Sequence, residues 1–399
     1  MFNPANEIQD LQFFGEFGGV NPSISDSSTY TFLSAKTMSD TFEGNTDGCY
    51  LYSRHSSPTN LYLSAALAKM EGTEAAHVCS SGMGAITGTL MHLCKSGDHI
   101  VSSRTIYGGT YAFLKNFITG FGVAVDFVDI TKLDVIKAAI RPTTKVIYLE
   151  TVSNPLLEVA DIVAISKLAK ERNIQLVVDN TFSPLNISPA VFGADIVIHS
   201  LTKYINGSSD TVGGVICASN EFINDIKNVN DGACMLLGAT MDSLRASSIL
   251  KNLRTLPIRM QKHSENALKL AQLLENDGVK TVYPGLPSHP SHQLFKTMYR
   301  EEFGFSGMLT IDAGSLEKAN ALMELMQEKN VGYLAVSLGF YKTLFSAPGT
   351  STSSEIPMDE QKEMGLTDGL IRFSIGLDHD IERTYQIIKQ CMIETGVLS

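Results

Sequence analysis

Between residues 60 and 220, short apolar runs alternate with helical segments, and this pattern constrains the fold most. The runs lie at 77–79, 99–102, 123–128, 145–149 (Lys-Val-Ile-Tyr-Leu), 175–178, 195–198 and 214–218. Segments 60–70, 83–93 and 162–172 carry apolar residues at helical spacing, and Gly72 ends the first. Strands with no polar face must be covered on both sides. The order therefore predicts an α/β fold with a mostly parallel seven-stranded sheet. Ligands of such sheets sit at the carboxyl ends of the strands. A helical stretch over about 241–276 follows, with Arg254 and Pro257 midway, and then a mixed α+β pattern. There, 308–311 and 370–374 read as strands, and 316–329 and 380–394 as helices. We expect an arm at 1–60, a large domain at 61–255 and a smaller C-terminal α+β domain at 256–399.

The arm shows no apolar period and reads as irregular. Its aromatics (among them Phe13, Phe14, Phe17, Tyr30, Phe42 and Tyr52) argue against disorder and for packing on a neighbouring subunit. The formal net charge of -11 argues against nucleic acid, whose phosphates an acidic chain repels. The N-terminus lacks the basic start and apolar stretch of a signal peptide, and no apolar run has membrane-spanning length. A soluble, cytoplasmic protein is expected. Six cysteines, none in a CxxC pair, read as buried or half-buried free thiols. His289 and His292 flank Pro290 and read as a surface turn, and no metal is expected.

Four features fall at the ends of expected strands. Ser80-Ser81-Gly82-Met83-Gly84 leads into a helix, whose N-terminal N–H groups suit a phosphate. Glu150 to Pro155 includes an Asn-Pro turn, from which Asn154 could donate to a ring oxygen. Asp179 ends an apolar strand, where a buried carboxylate needs a partner such as a protonated ring nitrogen. Lys203 follows another apolar strand, with Ser200 and Thr202 beside it to bond phosphate oxygens. A desolvated lysine is a usable amine nucleophile. Each feature has a plain alternative: a strand-to-helix turn, an Asn-Pro turn, a capping Asp, a surface lysine. One aldehyde cofactor with a phosphate, a phenolic oxygen and a ring nitrogen would use all four.

These segments, with Tyr52-Ser53-Arg54, Tyr107-Gly108-Gly109-Thr110 and Arg372-Phe373-Ser374-Ile375-Gly376, resemble the Cys/Met-metabolism family of pyridoxal-phosphate enzymes. The resemblance implies the aspartate-aminotransferase-like, type I fold and a homotetramer of two active-site-sharing dimers. It implies pyridoxal 5'-phosphate as cofactor and Lys203 as the Schiff-base lysine and proton carrier. Asp179 would pair with the ring nitrogen, Tyr107 would stack on the ring and act as acid or base, and Asn154 would contact the ring hydroxyl. Gly82, Met83, Ser200 and Thr202 would hold the phosphate, completed by Tyr52 and Arg54 of a neighbouring subunit. Arg372, aided by Ser337 and Tyr52, would bind the substrate carboxylate.

Ser337 to Leu344 and Ser351 to Glu355 are similar to the plant-type methionine gamma-lyase subgroup. That similarity implies α,γ-elimination of L-methionine to methanethiol, 2-oxobutanoate and ammonia. Gly109 stands where many bacterial methionine gamma-lyases carry cysteine. The alternatives are O-acetylhomoserine sulfhydrylase or cystathionine gamma- or beta-lyase activity, and, from another class, a non-catalytic phosphate-binding α/β protein.

Overall fold

A computed structural model describes residues 2–46 and 48–398. The first sheet has seven strands: β1 (Ala75–Cys79), β2 (His99–Ser103), β3 (Ala124–Val128), β4 (Thr144–Glu150), β5 (Gln175–Asp179), β6 (Ile196–Ser200) and β7 (Gly214–Ala218). Their order is β1-β7-β6-β5-β4-β2-β3. The pairs from β3 to β6 are parallel, and β7 runs antiparallel to both β6 and β1.

Alternation along the strands explains why the sheet is buried on both faces. In β4, Val146 and Tyr148 point into one apolar cluster, while Ile147 and Leu149 point into the other. In β5, Val177 faces one side and Leu176 and Val178 the other. Burial of each such side chain contributes about 1.5–3 kcal/mol. Helices Pro58–Glu71 and Ile162–Glu171 contribute to one layer, and helix Gly82–Leu93 to the opposite one.

A second sheet comprises β8 (Thr281–Val282), β9 (Met308–Asp312), β10 (Gly332–Leu334), β11 (Thr343–Ser346) and β12 (Leu370–Ser374), in the order β10-β11-β12-β9-β8. A third apolar cluster covers it with helices Leu316–Glu328 and Ile381–Glu394. The stretch expected as one helical run over 241–276 is two helices, Ser243–Leu253 and Leu256–Asn276. Pro257 lies in the first turn of the second, where its missing N–H costs nothing.

Three expectations need correction. The arm contains two short helices, Pro4–Gln9 and Ala35–Phe42, capped by the side chains of Asn3 and Ser34. Such caps satisfy first-turn N–H groups and act without any long apolar period. His289 and His292 do not form a surface turn. His289 is buried, and His292 opens a helix (His292–Met298) with its ring stacked on Phe305 at 5.2 Å. Pro290 precedes that helix and does not interrupt it. Five cysteines are buried, but Cys49 is exposed. No helix among the described residues is long and apolar enough to cross a membrane.

Candidate active site

Glu150, Asp179 and Ser200 are the last residues of β4, β5 and β6, three neighbouring strands. Glu150 and Asp179 are directly paired in register. Past these strand ends lies a cavity of about 240 Å³. Its walls include Gly82, Met83, Tyr107, Asn154, Asp179, Ser200, Thr202, Lys203 and Arg372. Nine residues from six separate stretches of sequence, all marked from the sequence, thus meet in one place. Ser337 joins them through its hydroxyl, which accepts from Lys203 Nζ at 2.9 Å. Tyr52 and Arg54 do not line this cavity. Both are exposed, and Arg54 Nη1 donates to the Met235 carbonyl at 3.0 Å.

The electrostatics follow from burial. Desolvation, aided by the nearby Arg372 guanidinium, pulls the Lys203 ammonium down to about 8. Arg372 is 2 % exposed, and burial lowers its pKa to about 10. Its Nη1 donates to Asn154 Oδ1 at 2.8 Å and its Nη2 makes a long contact with the Val336 carbonyl at 3.5 Å, and the guanidinium lines the cavity. Burial also raises the Asp179 carboxyl, against the Thr181 N–H that it accepts at 2.9 Å. Among the described residues, Asp179 has no cationic side chain at salt-bridge distance. A buried carboxylate in that state calls for a cationic partner.

Glu150 was part of a motif in the sequence but had no assigned role there. In the fold its two carboxylate oxygens accept from the backbone N–H groups of Tyr107 and Asn154, each at 2.8 Å. One buried side chain therefore positions the loops that carry both residues. Burial, with Asp179 alongside, holds its carboxyl well above the ordinary range. Beside Ser200, Ser81 caps helix Gly82–Leu93 by accepting from Gly84 N at 2.9 Å. The N–H groups of Gly82 and Met83, in the first turn, have no intrahelical acceptor, and both residues line the cavity. The Thr202 hydroxyl is joined to the Gly213 backbone, accepting from its N–H at 3.1 Å.

A family model described as "Cys/Met metabolism PLP-dependent enzyme" matches residues 7–390. The chain belongs to this family. The Arabidopsis thaliana methionine gamma-lyase is 42% identical over 390 residues, covering 96% of this chain and 88% of that protein. The Bacillus subtilis cystathionine gamma-lyase is 40% identical over 86% of this chain and 88% of its own length. Among solved structures, a putative O-acetylhomoserine (thiol)-lyase from Campylobacter jejuni superposes with a TM-score of 0.90. It is 30% identical and covers 98% of this chain and 100% of that one, and it carries a pyridoxyl-lysine phosphate.

Pyridoxal phosphate is the cofactor of this Cys/Met-metabolism enzyme, and the residues present fit it. Asp179 is a buried carboxylate without a cation, and the cofactor's pyridine nitrogen can be that cation. Lys203 is half-buried with a depressed pKa, which suits an amine that attacks an aldehyde. The chemistry of the donors at the start of helix Gly82–Leu93 suits a phosphate. The fold is the type I pyridoxal-phosphate fold expected from the sequence.

Proposed function

We propose that this protein cleaves L-methionine by α,γ-elimination, consuming one water and releasing methanethiol, 2-oxobutanoate and ammonia. The composition of the cavity wall carries this reading. Its charged side chains are Glu150, Asp179, Lys203 and Arg372. Glu150 holds two backbone groups, and the other three serve the cofactor and the substrate's amino-acid end. The remaining wall is largely Met83, Ile86, Val152, Phe182, Val212, Val336 and Leu338. An apolar S-methyl suits such a wall. The distal zwitterion of cystathionine would find no unengaged charge among the lining residues. The relatives named for methionine cleavage favour the same choice.

Each residue then has a task. Arg372, with Ser337 beside it, holds the substrate carboxylate. Lys203 takes the proton from the α-carbon, as its neutral amine, and later helps remove one from the β-carbon. Pyridoxal phosphate, when bound, supplies an electron-withdrawing ring that takes up the charge left on the α-carbon. Asp179 would keep the ring nitrogen protonated, and Asn154 would bond the ring oxygen. Tyr107, on the cavity wall, gives a proton to the departing thiolate sulfur. Gly82, Met83, Ser200 and Thr202 would hold the phosphate. Placed proton transfers of this kind are each worth about 10²–10⁴ in rate.

Tyr52 and Arg54 complete the phosphate site of a second copy in this reading, within a homotetramer of active-site-sharing dimers. Their absence from their own chain's cavity supports it. So does the exposed apolar surface of the arm, with Phe14, Phe17, Val20 and Leu33 all largely in solvent. Residues 61–255 would then be the cofactor-binding domain, and 256–399 the domain that supplies the carboxylate fork.

The test is to incubate the holoenzyme with L-methionine, without added sulfide, and measure 2-oxobutanoate and methanethiol together. Equal amounts of both are expected. Neither product, with turnover of cystathionine or of an acylhomoserine plus sulfide, would overturn the choice of substrate.

A further inference from the structure

We propose that His77, Cys79 and Cys234 form a second site, separate from the catalytic cavity, that binds a thiolate-seeking divalent cation such as Zn²⁺. The site begins with a strand. His77 and Cys79 are two apart on β1, so their side chains leave the same face. Cys234 comes from the short helix Ala233–Leu237. Gly88 of the Gly82–Leu93 helix lets its sulfur approach: a Cβ at Gly88 would stand 2.9 Å from Cys234 Sγ. The two sulfurs and one imidazole nitrogen all lie within 4.8 Å of one another. A tetrahedral zinc ion, with bonds of about 2.3 Å to sulfur and about 2.0 Å to nitrogen, needs such atoms about 3.5–3.8 Å apart. The cluster has to tighten by about 1 Å, within reach of small side-chain rotations.

Charge argues the same way. Cys79 and Cys234 are buried and unpaired by any disulfide. A single buried thiolate is costly, and two are worse. Two thiolates, a neutral imidazole and a dication sum to zero, which burial tolerates. Binding the ion would release the thiol protons.

Three protein ligands leave a fourth position for water. His77 is half-buried and borders a small polar pocket with Arg54, His55 and Lys227. None of the three ligands lines the catalytic cavity. The two sites adjoin, since Cys79 directly precedes the Ser80–Gly82 turn and shares an apolar cluster with cavity-lining Ile86. The bound ion would tie the end of β1 to the helix whose Met235 carbonyl accepts from Arg54.

The test uses reduced, metal-stripped holoenzyme titrated with Co²⁺ and then Zn²⁺. The expected result is thiolate-to-cobalt charge transfer with intense tetrahedral ligand-field bands, saturating at one ion per chain and abolished by Zn²⁺. Cys234→Ser and His77→Gln should lose these bands and keep cofactor absorbance. Cys49→Ser should keep them, because Cys49 is the exposed thiol. Should Cys234→Ser fail to fold, His77→Gln decides, since His77 is only half-buried. No thiolate–cobalt band in the wild type, or the same band in His77→Gln, would overturn the proposal. Loss of the band in Cys49→Ser would do the same.

Discussion

Replacing Lys203 with methionine should abolish turnover and yet make the cofactor-free protein more stable at neutral pH. Burial, and then Arg372, lower the Lys203 pKa from 10.5 to about 8. Each unit is worth about 1.4 kcal/mol, so the charged amine costs the folded state up to about 3 kcal/mol. The sign follows from which state binds the proton more tightly. Below pH 8 both states are protonated, and the folded state carries the whole penalty. Between 8 and 10.5 the unfolded chain keeps a proton that the folded one has released, so wild-type stability rises with pH. Above 10.5 the penalty is gone.

Methionine has similar length and no charge, but it loses the hydrogen bond from Lys203 Nζ to Ser337. That loss costs about 1 kcal/mol. The net gain should therefore be about 2 kcal/mol near pH 7. By about pH 9.5 the penalty removed by the substitution is smaller by roughly 2 kcal/mol, and the gain nearly vanishes. Urea unfolding of both cofactor-free proteins at the two pH values measures this. A variant less stable near pH 7, or a gain equal at both pH values, would refute the assignment of a desolvated, depressed lysine.

Three other outcomes test the remaining geometry. Coexpressing Arg54→Ala with Lys203→Ala chains should restore activity to roughly a quarter of wild type, through hybrid dimers with one intact site; hybrids that form and stay inactive exclude a shared site. Gly109→Ala should lower kcat with little change in the urea midpoint, because its Cβ would stand 2.6 Å from the Tyr107 ring, which is part-exposed and free to swing. An unchanged kcat would remove Tyr107 from the proton-transfer role. Glu150→Gln should cost about 1–3 kcal/mol of stability by leaving the N–H of Tyr107 or Asn154 without its acceptor, a loss that urea unfolding reads directly.

The site was legible in the sequence to the extent that strand ends were. Apolar runs ending at 149, 178 and 198 mark β4, β5 and β6, and functional side chains follow each one because a strand's carboxyl end is where a parallel sheet opens. The cofactor roles then rested on residue type: an Asp, a Lys and a small-residue turn whose shared use is one ring, one aldehyde and one phosphate. Strands such as β8 and β10 left no comparable mark. They have two and three residues and are partly or largely exposed, so no apolar run exceeds the background.

What pattern reading misses is contact between residues of unrelated local pattern. Glu150 looks like the end of a strand. Only the fold shows its carboxylate reaching the Tyr107 and Asn154 N–H groups, 43 and 4 residues away. His77 and Cys79 sit in an ordinary short strand, and Cys234 lies in a five-residue helix. No spacing rule connects them, because the connection runs through Gly88, a glycine indistinguishable in sequence from any other helical glycine. Spacing motifs detect ligands carried on one turn or one hairpin. A site assembled from a strand and two helices emerges only after packing, and there chemistry-bearing residues must be sought by distance.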